Sequence, residues 1–328
     1  MRAIVLERYG SPDVLELREI EKPPVADDDQ VLVRVQASSI NPADWHLMRA
    51  DPKIARLDFG LRRPKDSVLG SDLAGQVEAV GRNVTRFQPG DEVFGSTFGH
   101  GLGAFAEWCL CASEALLAPN PANLTFEQAA AVPIAALTAL QGLRDQGRVE
   151  SGQRVLIVGA SGGVGSFAVQ IAKSFGAEVT GVAGTANLEM VKAIGADHVI
   201  DYTSEDFTRG ERSYDLILQA GGTESPSACR RVLTSEGTLV GISGDSDGHW
   251  IGPLDRVIKA RLLSPFVSQR LVSFLAEPNG EDLRFLAGLI ESGKVTPVID
   301  RTYPLSEVPN AIRHLEEGHP RGKVVITV

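Results

Sequence analysis

The stretch GASGGVGSFAVQIAK, residues 159–173, constrains this chain more than any other part of it. Gly159, Gly162 and Gly165 recur at three-residue spacing directly after RVLIVGA (154–160), which is apolar enough to be a buried strand. They open VGSFAVQIAKSFG (164–176), an amphipathic helical pattern that Gly176 ends. A turn of this kind brings backbone N–H groups up to a pyrophosphate, and side chains there would block the approach. The helix N-terminus adds partial positive charge where the phosphates sit. Gly159, Ser161, Gly162, Gly163, Val164 and Gly165 are therefore candidate phosphate-binding residues. Alternation continues with the strand EVTGVA (178–183), the helix NLEMVKAIG (187–195) and the strands HVIDY (198–202), YDLILQA (214–220) and TLVGIS (238–243). Strands separated by helices of this length pair in parallel through right-handed crossovers. The fold class predicted here is α/β, with a doubly wound parallel sheet that binds a dinucleotide.

The end of the second strand of such a sheet discriminates between NAD and NADP. An acid there binds the 2′-hydroxyl of NAD and repels a 2′-phosphate. Here the strand ends in Val182 and Ala183, followed by Gly184, Thr185, Ala186 and Asn187. The absence of an acid favours NADP. The absence of Arg or Lys keeps NAD open as a second cofactor.

The first third of the chain is β-rich, with segments 2–7, 30–37, 73–80 and 104–113 punctuated by Pro and Gly, and PGDEVFG (89–95) feeding a further strand. The style changes near residue 125, where Thr125 and Gln128 form a capping-box pattern. The tail returns to a helical stretch (280–293) and two strands, around PVIDRTYPL and KVVITV. With 32 basic and 42 acidic residues, the net charge of −10 repels nucleic-acid backbones and anionic headgroups. The longest weakly polar run, around AAAVPIAALTAL, is too short to span a bilayer. The N-terminus lacks the apolar stretch of a signal peptide, and three cysteines make no disulfide framework. A cytoplasmic location is expected, with neither nucleic acid nor membrane as partner.

SSINPADWHLMR (38–49), LGSDLAGQVEAVG (69–81), PGDEVFG, the glycine loop, GADHVIDY (195–202) and the closing stretch from residue 293 together resemble the medium-chain dehydrogenase/reductase superfamily, in its zinc-free quinone oxidoreductase-like branch. The resemblance covers nearly the whole chain. It implies a central Rossmann domain, residues 125–265, inside a discontinuous GroES-like, β-rich catalytic domain made of 1–124 and 266–328. The zinc alcohol dehydrogenases of the superfamily carry Cys where this chain has Asn41, and Gly-His-Glu where it has Gly70, Ser71 and Asp72. Their four-cysteine lobe is missing. Cys109 and Cys111 lie at alternate positions on one strand face and suit the core. Zinc needs at least three converging N, S or carboxylate ligands, and no metal ligand is expected here.

The resemblance also implies roles for individual residues. Asn41 matches a contact to the cofactor ribose and nicotinamide. His46 stands where several members have a tyrosine near the substrate, and an imidazole could replace that hydroxyl as proton donor. Asp44 is expected to brace the loop. Thr138 matches a residue beneath the nicotinamide, and Tyr202 one beside the adenosine half. Gly184, Thr185 and Asn187 belong to the same half. Gly241, Ile242 and Ser243 end a later strand at the ligand-binding edge. Phe266 and Val267 match a segment meeting the carboxamide, and Lys323 could reach the cofactor or lie solvated. The expected activity is zinc-independent, NAD(P)H-dependent reduction of quinones or α,β-unsaturated carbonyls. An enoyl-thioester reductase and a non-catalytic dinucleotide-binding redox sensor are the alternatives. A homodimer through the edge strand TLVGIS is expected by the same resemblance.

Overall fold

The computed structural model of the protein describes residues 1–51, 53, 56–242, 268–318 and 321–328. The chain forms two compact units, one of residues 1–137, 277–293 and 297–328, the other of 138–276 and 294–296. These junctions differ from the expected 124/125 and 265/266, and local packing accounts for both. The helix Phe126–Ala130 begins where Thr125 Oγ1 accepts from the Gln128 N–H and Gln128 Oε1 accepts from the Thr125 N–H. Its Ala129 and Ala130 are fully buried against the first unit's sheet. At the other junction the strand Arg270–Phe274 pairs in parallel with Leu233–Ile242, so this stretch belongs with the second unit.

The second unit is a six-stranded, all-parallel sheet. Its spatial order is His198–Asp201, Glu178–Ala183, Arg154–Val158, Tyr214–Gln219, Leu233–Ile242 and Arg270–Phe274. In chain order this reads 3-2-1-4-5-6, the doubly wound arrangement, whose direction of winding reverses between Arg154–Val158 and Tyr214–Gln219. The strand Arg154–Val158 is buried from Val155 onward because helices cover both faces of such a sheet. Leu156, Val182, Tyr214, Ile217 and Leu239 pack together on one side. Fully burying an aliphatic side chain of this size stabilises by roughly 1.5–3 kcal/mol.

One expectation is overturned by this topology. TLVGIS was assigned to the sheet edge, but Leu233–Ile242 has Tyr214–Gln219 on one side and Arg270–Phe274 on the other. Among the described residues the sheet ends on His198–Asp201 and Arg270–Phe274. The pattern of an apolar strand is the same in the interior and at an edge, so the sequence alone did not locate it. Residues 238–242 therefore offer no free strand edge.

The first unit is built on a seven-stranded sheet. The long strand Val31–Ile40 pairs antiparallel with Asp72–Val80 along one side. Along the other it pairs with Trp108–Cys111 through its first half and with Lys323–Thr327 through its second. Cys109 and Cys111 are buried in the core with Val31, Val33 and Leu73, and their mutual hydrogen bond, reinforced by burial, holds the Cys111 thiol well above its usual range. The helix Pro42–Arg49 follows Val31–Ile40 directly and packs on Val308–Glu316, with Arg49 Nε 2.5 Å from Glu316 Oε1. Ile4, Met48, Leu69, Phe105, Ile312 and Ile326 form the core beneath it.

Candidate functional site

In the second unit the glycine loop follows Arg154–Val158 and leads into the helix Gly163–Ser174. Gly159 has φ +79°, and a Cβ there would also stand 3.0 Å from the Gly221 backbone across the reversal point. A Cβ on Gly165 would lie 2.0 Å from the Gly159 carbonyl oxygen, so strand and helix could not approach as they do. Gly162 differs from both. Its φ is −79°, and a Cβ would meet nothing closer than the Gly159 oxygen at 3.5 Å. The protein does not itself require glycine at 162; what the missing side chain opens is the helix N-terminus. No side chain caps that helix, so its first-turn N–H groups keep their donors free. This cradle fits a dinucleotide pyrophosphate.

The residues expected around the adenosine half gather at the carboxyl ends of neighbouring strands. Asn187 Nδ2 donates to Ser161 Oγ at 3.4 Å, and Asn187 Oδ1 is buried without a hydrogen-bond partner. Thr185 Oγ1 donates to Asp201 Oδ2 at 2.6 Å, and Asp201 Oδ1 accepts from the Thr203 N–H and hydroxyl. These hydroxyls hold the Asp201 carboxyl below its usual range. Asp201 pairs in register with Ala183 at the end of the second strand, and it was missed in sequence because it lies on the third. Tyr202 is 46% exposed, and its hydroxyl would stand 3.2 Å from a Cβ on Gly184. It is not a buried strand-end tyrosine. Thr138 is buried in the helix Pro133–Gln141, and Gly241 and Ile242 end their strand half-buried. Ser243, Phe266 and Val267 lie outside the described residues.

The first unit brings Asn41 and Lys323 together at the Asp72 carboxylate, which is completely buried, while His46 stands further along the helix that Asn41 opens. Asp72 Oδ2 accepts from Asn41 Nδ2 at 2.8 Å and from Ser39 Oγ at 3.0 Å, and lies 3.6 Å from Lys323 Nζ. Asp72 Oδ1 accepts from the Ile134 N–H at 3.1 Å. Lys323 Nζ donates to Asn41 Oδ1 at 2.5 Å and to the Ile40 carbonyl at 3.1 Å. Lys323 is only 3% exposed, so it is neither solvated nor directed outward. Burial pulls its pKa below the ordinary lysine value, against the opposing pull of Asp72 and Asp44.

Asn41 is the N-cap of Pro42–Arg49, yet its side chain makes no cap bond, being committed to Asp72 and Lys323. Asp44 supplies the other half of the cap, accepting from the Asn41 N–H at 2.8 Å. Asp44 is 1% exposed, and burial pushes its pKa up to about 7. The Asn41 N–H and Lys323 oppose that rise, while the Asp72 carboxylate adds to it. His46 sits on the same helix, stacked on Trp45 with ring centroids 3.6 Å apart. Its Nδ1 lies 2.7 Å from the Asp51 carbonyl oxygen. A carbonyl only accepts, so Nδ1 carries a proton, and Nε2 is the nitrogen left for other partners.

The zinc implied by the superfamily's alcohol dehydrogenases does not fit these residues. Asn41 and Ser71 put an amide and a hydroxyl where those enzymes have sulfur and nitrogen ligands, Asp72 keeps one carboxylate in place of Glu, and an ammonium already contacts that amide and carboxylate. Among the described residues no group of three or more His, Cys, Asp and Glu is placed to hold a metal ion.

Two predictions come from this geometry. Gly162→Val leaves the melting temperature nearly unchanged but raises the dinucleotide Kd by at least about tenfold, while Gly165→Ala costs about 1–3 kcal/mol of stability by overpacking. Titration calorimetry and thermal melts of both variants separate the two roles. For Asp44, a folded pKa of about 7 against the usual 3.8 means that folding takes up a proton between those values. Its contribution is fully present below the unfolded value and is lost as pH rises towards about 7. Urea unfolding of Asp44→Asn therefore lacks a decline that the native protein shows from about pH 4 to about pH 7; parallel profiles would refute the assignment.

Residues 27–122 match the family described as alcohol dehydrogenase GroES-like domain, and residues 194–326 that described as zinc-binding dehydrogenase. The chain is 35% identical to the NAD(P)H oxidoreductase RTN4IP1, mitochondrial, of Bos taurus, over 100% of this chain and 89% of that protein. It is 36% identical to the 2-methylene-furan-3-one reductase of Solanum lycopersicum, over 99% of this chain and 79% of that one. The structure of the quinone oxidoreductase from Coxiella burnetii is similar with a TM-score of 0.86 at 32% identity, covering 100% of this chain and 99% of that one. With the glycine cradle and the parallel sheet in place, the chain belongs to the medium-chain dehydrogenase/reductase superfamily, in its quinone oxidoreductase-like branch, and is an NAD(P)H-dependent oxidoreductase.

Proposed function

We propose that this oxidoreductase reduces quinones or α,β-unsaturated carbonyls without zinc. The observation that carries this reading is the Lys323 ammonium, buried against Asn41 and Asp72 where a zinc enzyme would hold its metal. An unactivated alcohol needs a Lewis acid or a strong base, which this centre does not offer. A quinone or an enone is already electron-poor and accepts hydride with only hydrogen-bond assistance to the oxygen that gains charge.

When bound, the reduced nicotinamide supplies the hydride, held through its pyrophosphate by the first-turn N–H groups after Gly162. The chain's own contribution to the reaction is the proton. With Nδ1 committed to the Asp51 carbonyl, His46 in its protonated form can donate only from Nε2. In an enone, hydride addition at the β-carbon leaves one proton to be taken up at the α-carbon, a proton of the kind an imidazole Nε2 can donate. In a quinone the single proton that balances the hydride ends on oxygen, where water can supply it.

The second unit supports use of both nicotinamide cofactors. Glu178–Ala183 ends without an acid, which removes the usual repulsion of a 2′-phosphate. Asp201, on the neighbouring strand, is engaged by Thr185 and Thr203, and residues 184–187 contain no base to pair with that phosphate.

The test follows nicotinamide absorbance with a quinone and an enone, using NADPH and NADH, with and without a chelator. Turnover is expected to be indifferent to the chelator, and zinc in protein from supplemented medium to stay below about 0.1 equivalent. His46→Phe should lower kcat on the enone by about a hundredfold and leave the quinone within a fewfold. One equivalent of bound zinc with chelator-sensitive activity would refute the metal-free reading. Equal losses on both substrates would remove His46 from proton donation.

A further inference from the structure

We propose that Lys323 is the positioning residue of the first unit, a resident cation that fixes which way the Asn41 carboxamide points. The two ends of an asparagine amide have nearly the same shape, so the neighbours decide its orientation. Here one neighbour is a cation and the other an anion. Lys323 Nζ stands 2.5 Å from Oδ1, and Asp72 Oδ2 stands 2.8 Å from Nδ2. Rotating the amide by half a turn would set N–H against ammonium and carbonyl oxygen against carboxylate, losing both bonds and gaining two repulsions.

The ammonium is held as firmly as the amide it orients. It donates to the Ile40 carbonyl at the end of Val31–Ile40 and to Asn41 Oδ1 at the cap of Pro42–Arg49, and it is ion-paired with Asp72 Oδ2, 3.6 Å away at the start of Asp72–Val80. A buried ammonium requires an acceptor near each of its N–H groups, and these three oxygens provide them. Lys323 is 3% exposed and Asp72 0%, so water does not compete with the arrangement. The direction of the remaining amide N–H is then set by the strand on which Lys323 stands. Asn41 also opens the helix that carries His46, so the ammonium fixes the starting point of the segment assigned to proton donation. That last link rests on the proposed function; the orientation of Asn41 does not.

The test is a pair of variants read without any turnover assay. Lys323→Met alone leaves a buried carboxylate unpaired and is expected to lower the melting temperature sharply. Adding Asp72→Asn removes the charge pair together, so the melting temperature should largely recover. Protein labelled with ¹⁵N at asparagine, with the Asn41 side-chain signals assigned by Asn41→Ser, then reports the lock directly. The native Asn41 NH₂ pair should exchange with solvent slowly, and in the recovered double variant at least about tenfold faster. Unchanged protection at a recovered melting temperature would overturn the proposal and leave Lys323 as packing alone. Should the double variant stay unstable, Lys323→Gln, which keeps a donor towards Asn41 but no charge, carries the same comparison. Retained protection there would show that charge is not what orients the amide. Enone turnover of the same variants is measured separately: lost amide protection with unchanged kcat would uphold the lock and refute only its link to the proposed chemistry.

Discussion

A carboxylate with no solvent contact must find every one of its partners inside the protein, and Asp72 obliges much of the first unit to supply them. Ser39 and Asn41 reach it from the end of one strand and the start of a helix, Ile134 through a backbone N–H, and Lys323 from the far end of the sequence. Removing any one partner of a buried charge costs more than the bond itself, because the remaining charge is left in a poor solvent. Strand pairing places these groups in line. The register sets Ser39 opposite Asp72 on one side of Val31–Ile40, and Ile40 opposite Val324 on the other. The sheet is thus the frame in which one carboxylate and one ammonium can be buried together.

The second unit solves a different problem, which is to bind a phosphate chain with backbone alone. Two of its glycines, 159 and 165, are answers to crowding between strand, loop and helix. The third, 162, answers to nothing in the protein. That contrast is what separates a tight βα turn from a binding site, and periodicity cannot make it, because all three positions carry the same letter.

Much of this was legible in the sequence where the signal is local. The capping box at Thr125 and Gln128, the glycine loop with its flanking strand and helix, and the burial of Cys109 and Cys111 all depend on residues within a few positions of one another. Where partners are distant, sequence was a poor guide. Lys323 beside Gly322 has the pattern of a solvated lysine at the start of a strand, and only strand pairing turns it inward to Asn41. The place of Leu233–Ile242 inside the sheet depends on Arg270–Phe274, a strand beginning 28 residues after it ends (270 − 242). The junction near 125 was misplaced because a new helix was taken for a new domain, although its two buried alanines pack on the older sheet.

Strand Lys323–Thr327 lies between Ile299–Pro304 and Val31–Ile40, so it is interior to its sheet although it is the last strand in the sequence. Lys323 and Asn41 are 282 residues apart, and the intervening chain contains the whole second unit. A ribosome therefore releases Asp72 and Asp44 long before the ammonium that faces them exists. During synthesis the parallel unit can complete its own sheet, while the first unit waits with a gap along its longest strand and its acids still in water. Closing that gap is a contact between distant parts of the chain, the slow kind to form. The bond between Lys323 and Asn41 can form only after strand Lys323–Thr327 has been made.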